Sequence, residues 1–224
     1  MGTIVEKKYL TQDVMYLSLQ VPQNFTFQAG QFVNMKMTLN GETKNRSFSI
    51  LNPPAKQGFI DLCVKIIPGG FASKIFEQTN IGDEFPIKGP LGLFTFDEKS
   101  SHLENWFICT GTGITPFYSM IYEYLHLHPD KKFKLFFGVR TKDHLFFHQE
   151  FQVLEQKYPH FTFLPTLSRE QWDGATGRVQ QHLGEDLQNK TFYICGLKDL
   201  VLETKEYLLN HGVAPQDIHA ERYT

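Results

Sequence analysis

The feature that most constrains the fold is a change of hydrophobic period part-way along the chain. Up to about residue 96, apolar side chains recur at every second position. Met15, Leu17, Leu19 and Val21 share one face of VMYLSLQV, Val33, Met35, Met37 and Leu39 one face of FVNMKMTL, and Ile60, Leu62, Val64 and Ile66 one face of FIDLCVKI. A period of two is the repeat of a strand, and Gly, Pro or Asn between such runs predicts an antiparallel sheet or small barrel. After FDEKSSHLEN the pattern becomes compact apolar runs, WFICT, FKLFFGV, FTFLPTL and TFYICG, separated by segments of helical length and pattern. That alternation predicts β-α units and a parallel sheet, with the boundary between Phe96 and Glu104.

The remaining bounds exclude several classes. At 224 residues, 41% hydrophobic and 14% aromatic, the chain can bury a sizeable core, and a net charge of −2 gives no broad footprint for nucleic acid or an anionic membrane. Cys63, Cys109 and Cys195 are far apart with no C-x-x-C pair, which argues against zinc, an iron–sulfur cluster or a disulfide scaffold and fits a reducing compartment. No apolar leader opens MGTIVEKKYL and no apolar run is long enough to span a bilayer, so the cytoplasm is the expected location. His144 and His148 in HLFFH have a metal-ligand spacing on an expected helix, but no Glu follows the first His, no third ligand is evident and no metal is expected.

A doubly wound sheet binds ligands at the carboxyl ends of its strands. WFICTGTGITPF delivers Gly111, Thr112 and Gly113 into a helix opened by Pro116, a turn suited to an anion at a helix start and equally to plain tight packing. Arg140 in GVRTKDH, Arg169 in TLSRE and Arg178 in GATGRV fall in later loops, where they serve either a phosphate monoester or solvent. In the first half, Gly69 and Gly70 precede Ser73 and a helical run, so its hydroxyl either caps that helix or donates to a phosphate. Cys195 ends TFYIC as a buried thiol with no sequence-adjacent base. In ETKNRSFSILNPP, an arginine and two serines interrupt a strand where a core strand would alternate Val and Ile.

Taken in order, AGQFV, RSFS, GGFAS, GPLG, GTGITP, CGLKDLV and the terminal ERYT resemble blocks of the ferredoxin–NADP reductase superfamily over nearly the whole chain. The resemblance implies a six-stranded antiparallel FAD-binding barrel at residues 1–98 and a five-stranded parallel Rossmann-like NAD(P)-binding domain at residues 99–224. It places Arg46 on the flavin pyrophosphate, Phe48 on the flavin ring and Ser49 near flavin N5, with Ser47 and Lys65 in the same set. Gly70, Phe71, Ala72 and Ser73 would donate to the same pyrophosphate. Thr112, Gly113, Cys195 and Gly196 match the nicotinamide side, while Glu221 and Tyr223 match the acidic-x-aromatic pattern flanking the flavin. Phe48 stands where many members carry Tyr, so one hydroxyl contact is absent, and Thr224 follows the terminal aromatic.

The implied chemistry is hydride transfer from nicotinamide C4 to flavin N5, with Ser49, Cys195 and Glu221 lining the reacting region. Arg140, Ser168, Arg169 and Arg178 match the loops that surround the 2′-phosphate of NADP in bacterial members, so NADPH is favoured over NADH, although WDGATG also resembles NADH-using relatives. No cysteine-rich ferredoxin-like segment is present, so electrons are expected to pass to a separate acceptor of ferredoxin or flavodoxin type, or to a small molecule. Lys36, Lys44, Lys65 and Lys74 are the candidate docking cations. The alternatives are a free-flavin reductase, an NADH-dependent reductase component of an oxygenase, and a non-catalytic subunit that binds flavin and nucleotide.

Overall fold

The computed structural model describes residues 1–223; Thr224, the last residue of the ERYT block, lies outside the described residues. The chain divides into two compact units, one of residues 1–96 with 115–123, the other of residues 97–114 with the chain from Tyr124 onward.

The first unit is antiparallel throughout. Strands β1 (Gly2–Thr11), β2 (Val14–Gln20), β5 (Phe59–Lys65) and β6 (Glu84–Phe85) form one sheet in the order β5-β2-β1-β6, and β3 (Phe32–Leu39), β4 (Glu42–Ser49) and β7 (Ile87–Leu91) form another in the order β4-β3-β7. A bridge between Ile50 and Leu62 links the two. The sequence dictates this locally: Met15, Leu17, Leu19, Val33, Met35, Met37, Ile60 and Leu62 are fully buried on the facing sides and fill one core. Asn40 and Gly41, at φ 51 and 80, make the two-residue hairpin between β3 and β4, a turn that needs positive φ at both positions. Helix α1 (Phe71–Gln78) closes this core with Ile75 and Phe76.

The alternating reading sees only one face of β5. Its other face is also covered, because buried Asp61 accepts hydrogen bonds from Ser18 Oγ at 2.7 Å and from Lys56 Nζ at 2.7 Å. Helix α2 (Thr115–Tyr124), most of which counts with this unit, is tied to the same region by Ser119 Oγ, which donates to the Asn52 carbonyl at 2.8 Å.

In the second unit, β8 (Glu104–Thr110), β9 (Lys132–Val139), β10 (Phe161–Leu167), β11 (Ala175–Thr176), β12 (Lys190–Leu197) and β13 (Ile218–Tyr223) form one sheet in the order β11-β10-β9-β8-β12-β13. Every neighbouring pair is parallel, so all carboxyl ends share one edge. Setting aside the two-residue strands β6 and β11, the strand counts are those expected from the sequence. Strand order reverses between β8 and β12, which places the switch point of the sheet at Thr110 and Cys195.

Two local expectations are corrected. Between β11 and β12 the chain makes a 3-10 turn, Val179–His182, rather than an α-helix; Gly177 and Gly184 take positive φ there, and Val179, Leu183 and Leu187 are buried. His144 and His148 do not share a helix: His144 ends the 3-10 turn Lys142–His144, His148 opens α3 (His148–Lys157), and Phe147 between them is left-handed at φ 60. Helix α4 (Lys198–Asn210) packs Leu200, Val201 and Leu208 into the core beneath the sheet. Among the described residues, no helix is long and apolar enough to cross a membrane.

Candidate functional site

In the first unit the site grows from β4 and the start of α1. Arg46 and Phe48 pair in register with Met35 and Val33 and therefore lie on the core-facing side of the β3–β4 ribbon, with Arg46 at its exposed rim. The Arg46 guanidinium stands 5.7 Å and the Lys44 ammonium 4.8 Å from the ring of Phe71, the first residue of α1. Gly70 is the N-cap of that helix and supplies no side-chain cap, and the first turn carries no acid. The donor N–H groups of the first turn, which an α-helix cannot satisfy internally, thus face a region with two cations. Gly69, at φ 74, has nothing within 4 Å of where a Cβ would sit. This uncapped, cation-flanked helix start fits the diphosphate of a flavin dinucleotide.

The other residues read from the sequence distribute around it. Ser73 does not cap α1; it is buried, and its Oγ accepts the Ile67 N–H at 2.8 Å, holding the Ile67–Gly70 turn in shape. Ser47 lies on the opposite face from Arg46, where its hydroxyl donates to Asn34 Oδ1 at 2.7 Å. The Phe48 ring packs edge-on against Phe76 at 5.3 Å, so it belongs to the rim of the core. Ser49 is 6% exposed at the end of β4. The Lys65 ammonium is drawn to Asp13 in the β1–β2 turn, and Ala72 is half-buried in the first turn of α1.

In the second unit the switch point is tightly built. A Cβ on Gly113 would lie 2.3 Å from the carbonyl oxygen of Cys195, so only glycine lets the 3-10 turn Gly111–Ile114 approach the end of β12. On Gly196, at φ 154, a Cβ would meet Leu200 Cδ2 at 2.8 Å and Thr110 Oγ1 at 3.1 Å. Thr112, in the same turn, is half-buried. Cys195 pairs in register with Cys109 on one side and Glu221 on the other. Burial pushes the Cys195 thiol well above its ordinary value, the Glu221 charge adds to this, and a hydrogen bond with the Tyr223 side chain opposes it. Cys195 is therefore a neutral, polarizable wall at the carboxyl edge and not a thiolate nucleophile.

Beyond β9 and β10 the same edge carries a cleft of about 380 Å³ lined by Ser168, Arg169, Glu170, Gln171, Thr176 and Gln181 among others. Arg140 and Arg169 sit on adjacent loops, joined by the Arg169 N–H to the Arg140 carbonyl at 2.9 Å. Glu170 is turned to the backbone, its Oε2 accepting the Lys142 N–H at 2.8 Å. Arg169 is the arginine of the lining; Arg178, beside lining residue Gly177, donates from Nη1 to Glu203 Oε2 at 3.1 Å on α4. Of the residues expected to surround a ribose phosphate, Ser168 and Arg169 line the cleft, while the Arg178 side chain is engaged by Glu203. Sequence reasoning missed Thr110, Gln181 and Glu203; Gln181 had a signal in its position three residues after the Arg178 N-cap, whose N–H it accepts at 3.1 Å, whereas Glu203 had none.

Comparison with known proteins supports the two domains. A family model of the oxidoreductase FAD-binding domain matches residues 1–96, and one of the oxidoreductase NAD-binding domain matches residues 107–206. The chain is 32% identical over 211 residues to ferredoxin–NADP reductase B of Sorangium cellulosum, covering 89% of this chain and 86% of that protein. It is 31% identical over 232 residues to the phenol hydroxylase P5 protein of Acinetobacter pittii, covering 99% of this chain and 65% of that relative, so it spans just under two thirds of the relative's length. The crystal structure of Amycolatopsis cytochrome P450 reductase GcoB superposes with a TM-score of 0.92 at 26% identity, covering 100% of this chain and 69% of that one.

Proposed function

The chain belongs to the ferredoxin–NADP reductase family, with an FAD-binding and an NAD-binding domain, and from that premise we propose that it is a flavoenzyme that takes hydride from NADPH and delivers electrons to a separate acceptor. FAD, when bound, would supply the redox chemistry that links two-electron hydride transfer to one-electron acceptors. The chain's own residues bind, orient and exclude water. Arg46 and the first-turn N–H groups of α1 hold the diphosphate. Ser49, buried at the end of β4, would offer a hydroxyl to the flavin. Gly113 and Gly196 let the backbone close on the nicotinamide, and the neutral Cys195 thiol, held by Tyr223 and shadowed by Glu221, forms a dry wall without a competing nucleophile.

The observation that carries this reading is the approach of Gly113 to the Cys195 carbonyl at the switch point, since it leaves backbone rather than side chain at the carboxyl edge where a nucleotide lies. Ser168 and Arg169 at the cleft favour NADPH through a ribose phosphate. A second reading, an NADH-dependent reductase component of an oxygenase, draws on the phenol hydroxylase relative and on the pairing of the Arg178 charge with Glu203. Steady-state turnover with each nucleotide and a panel of acceptors (a ferredoxin, a flavodoxin, free flavin and a one-electron dye) tests both. Rapid turnover of dye and a protein acceptor with NADPH supports the first reading. A preference for NADH supports the second, and turnover only with added free flavin makes the chain a flavin reductase.

A further inference from the structure

Arg178 sits at the margin of the nucleotide cleft without pointing its charge into it. Gly177 and Gln181, on either side of it in the chain, both line the cleft, and the Arg178 N–H is fixed by Gln181 Oε1 at 3.1 Å. Its guanidinium instead meets both carboxylate oxygens of Glu203, at 3.1 and 3.3 Å from the same Nη1. Gln180 Nε2 donates to Glu203 Oε2 at 3.1 Å and steadies that carboxylate. Glu203 stands in the first half of α4, a helix that packs Leu200, Val201 and Leu208 into the core. The cleft is left with Arg169 as the cation of its lining and Glu170 as the acid.

We propose that Glu203 is a positioning residue for nucleotide choice: by holding the Arg178 guanidinium on α4 it weakens the preference of the cleft for a nucleotide that carries a ribose phosphate. The inference rests on the reading of this cleft as the site of that phosphate. The ion pair is largely exposed, with side-chain exposures of 69% and 50%, so it is weak and a phosphate dianion competes with it for the arginine. Each bound NADPH must draw Arg178 from Glu203, whereas NADH, with a neutral 2′-hydroxyl, does not.

The test is the selectivity ratio, kcat/KM for NADPH over kcat/KM for NADH, in the FAD-loaded full chain. Glu203→Gln keeps the side-chain shape and removes the charge; the ratio is expected to rise about two- to fivefold, the size of a lost surface ion pair, carried by KM for NADPH. Glu203→Asp, which keeps the charge, is expected to restore most of the wild-type ratio. In an Arg178→Ala background Glu203→Gln is expected to leave the ratio where it stands. An unchanged ratio in Glu203→Gln, or an equal rise with Arg178 absent, overturns the inference. Arg169→Ala separates the two levels of the reading: if it lowers the ratio well over tenfold, the phosphate cleft stands and only the Glu203 inference is at stake in the other variants. If it weakens both nucleotides equally, the phosphate cleft and the inference fall together.

Discussion

The carbonyl of Cys195 occupies the space that a side chain on Gly113 would need, so the turn after β8 and the end of β12 meet backbone to backbone. This contact fixes where two strand ends present their polar groups at the switch point. Gly113→Ala is expected to force them apart, with a loss of about 1–3 kcal/mol in stability from overpacking and a higher KM for the nucleotide. Thermal unfolding and steady-state kinetics check the two effects, and a variant with wild-type values for both would show the contact to be slack.

Arg46 leans on the first residue of an uncapped helix, where its multiply donating guanidinium suits a diphosphate. Its replacement by alanine removes one charge-assisted contact, worth about 1.5–3 kcal/mol, so FAD should bind on the order of tenfold to a hundredfold more weakly. Flavin fluorescence titration of the apoprotein measures this directly, and circular dichroism confirms that the barrel has stayed folded.

Ser49 differs from Arg46 in where its loss should register. It is buried at the end of β4, whereas Arg46 is exposed beside Phe71, so Ser49→Ala is expected to leave FAD bound and to slow its reduction. Single-turnover stopped-flow measurements separate the two. Unchanged reduction removes Ser49 from the chemistry, and loss of bound flavin makes it a binding residue instead.

The buried thiols predict how stability changes in alkali. Burial pushes the Cys63 thiol up to about 12 from an ordinary value of 9.0, and Cys109 and Cys195 are raised by the same cause. An unfolded chain gives up these protons from about pH 9, while the folded chain keeps them; the native state then binds more protons and loses stability as pH rises. The loss should begin near pH 9 and continue toward 12, with up to about 1.4 kcal/mol per pH unit from each thiol. Denaturant titrations across this range should show the slope reduced by about one thiol's share in Cys63→Ala.

The strands of both units were legible because each buries a regular pattern of side chains, as Met15, Leu17 and Leu19 do in β2 and as Phe107, Ile108 and Cys109 do in β8. The Gly-Thr-Gly and Gly-Gly turns were legible as turns for a related reason: only glycine serves where Gly113 approaches Cys195 and where Gly69 takes positive φ. What periodicity could not see depends on contacts distant in sequence. Glu203 meets Arg178 across 25 residues, and Ser47 finds Asn34 on the neighbouring strand, so neither side chain's direction is written in its own segment. The span between β10 and β12 has the length and pattern of a helical segment, yet Gly177 and Gly184 take positive φ there while Val179, Leu183 and Leu187 still reach the core.

The central claim, that this chain moves hydride from a nicotinamide nucleotide to its own flavin, is met most directly by anaerobic mixing of the FAD-loaded protein with NADPH deuterated at C4. The flavin absorbance should bleach in a single turnover, at a rate slower for the deuterated face than for protiated NADPH, and should recover when a one-electron acceptor is added. A protein that retains FAD but is not bleached by NADPH or NADH would contradict the claim.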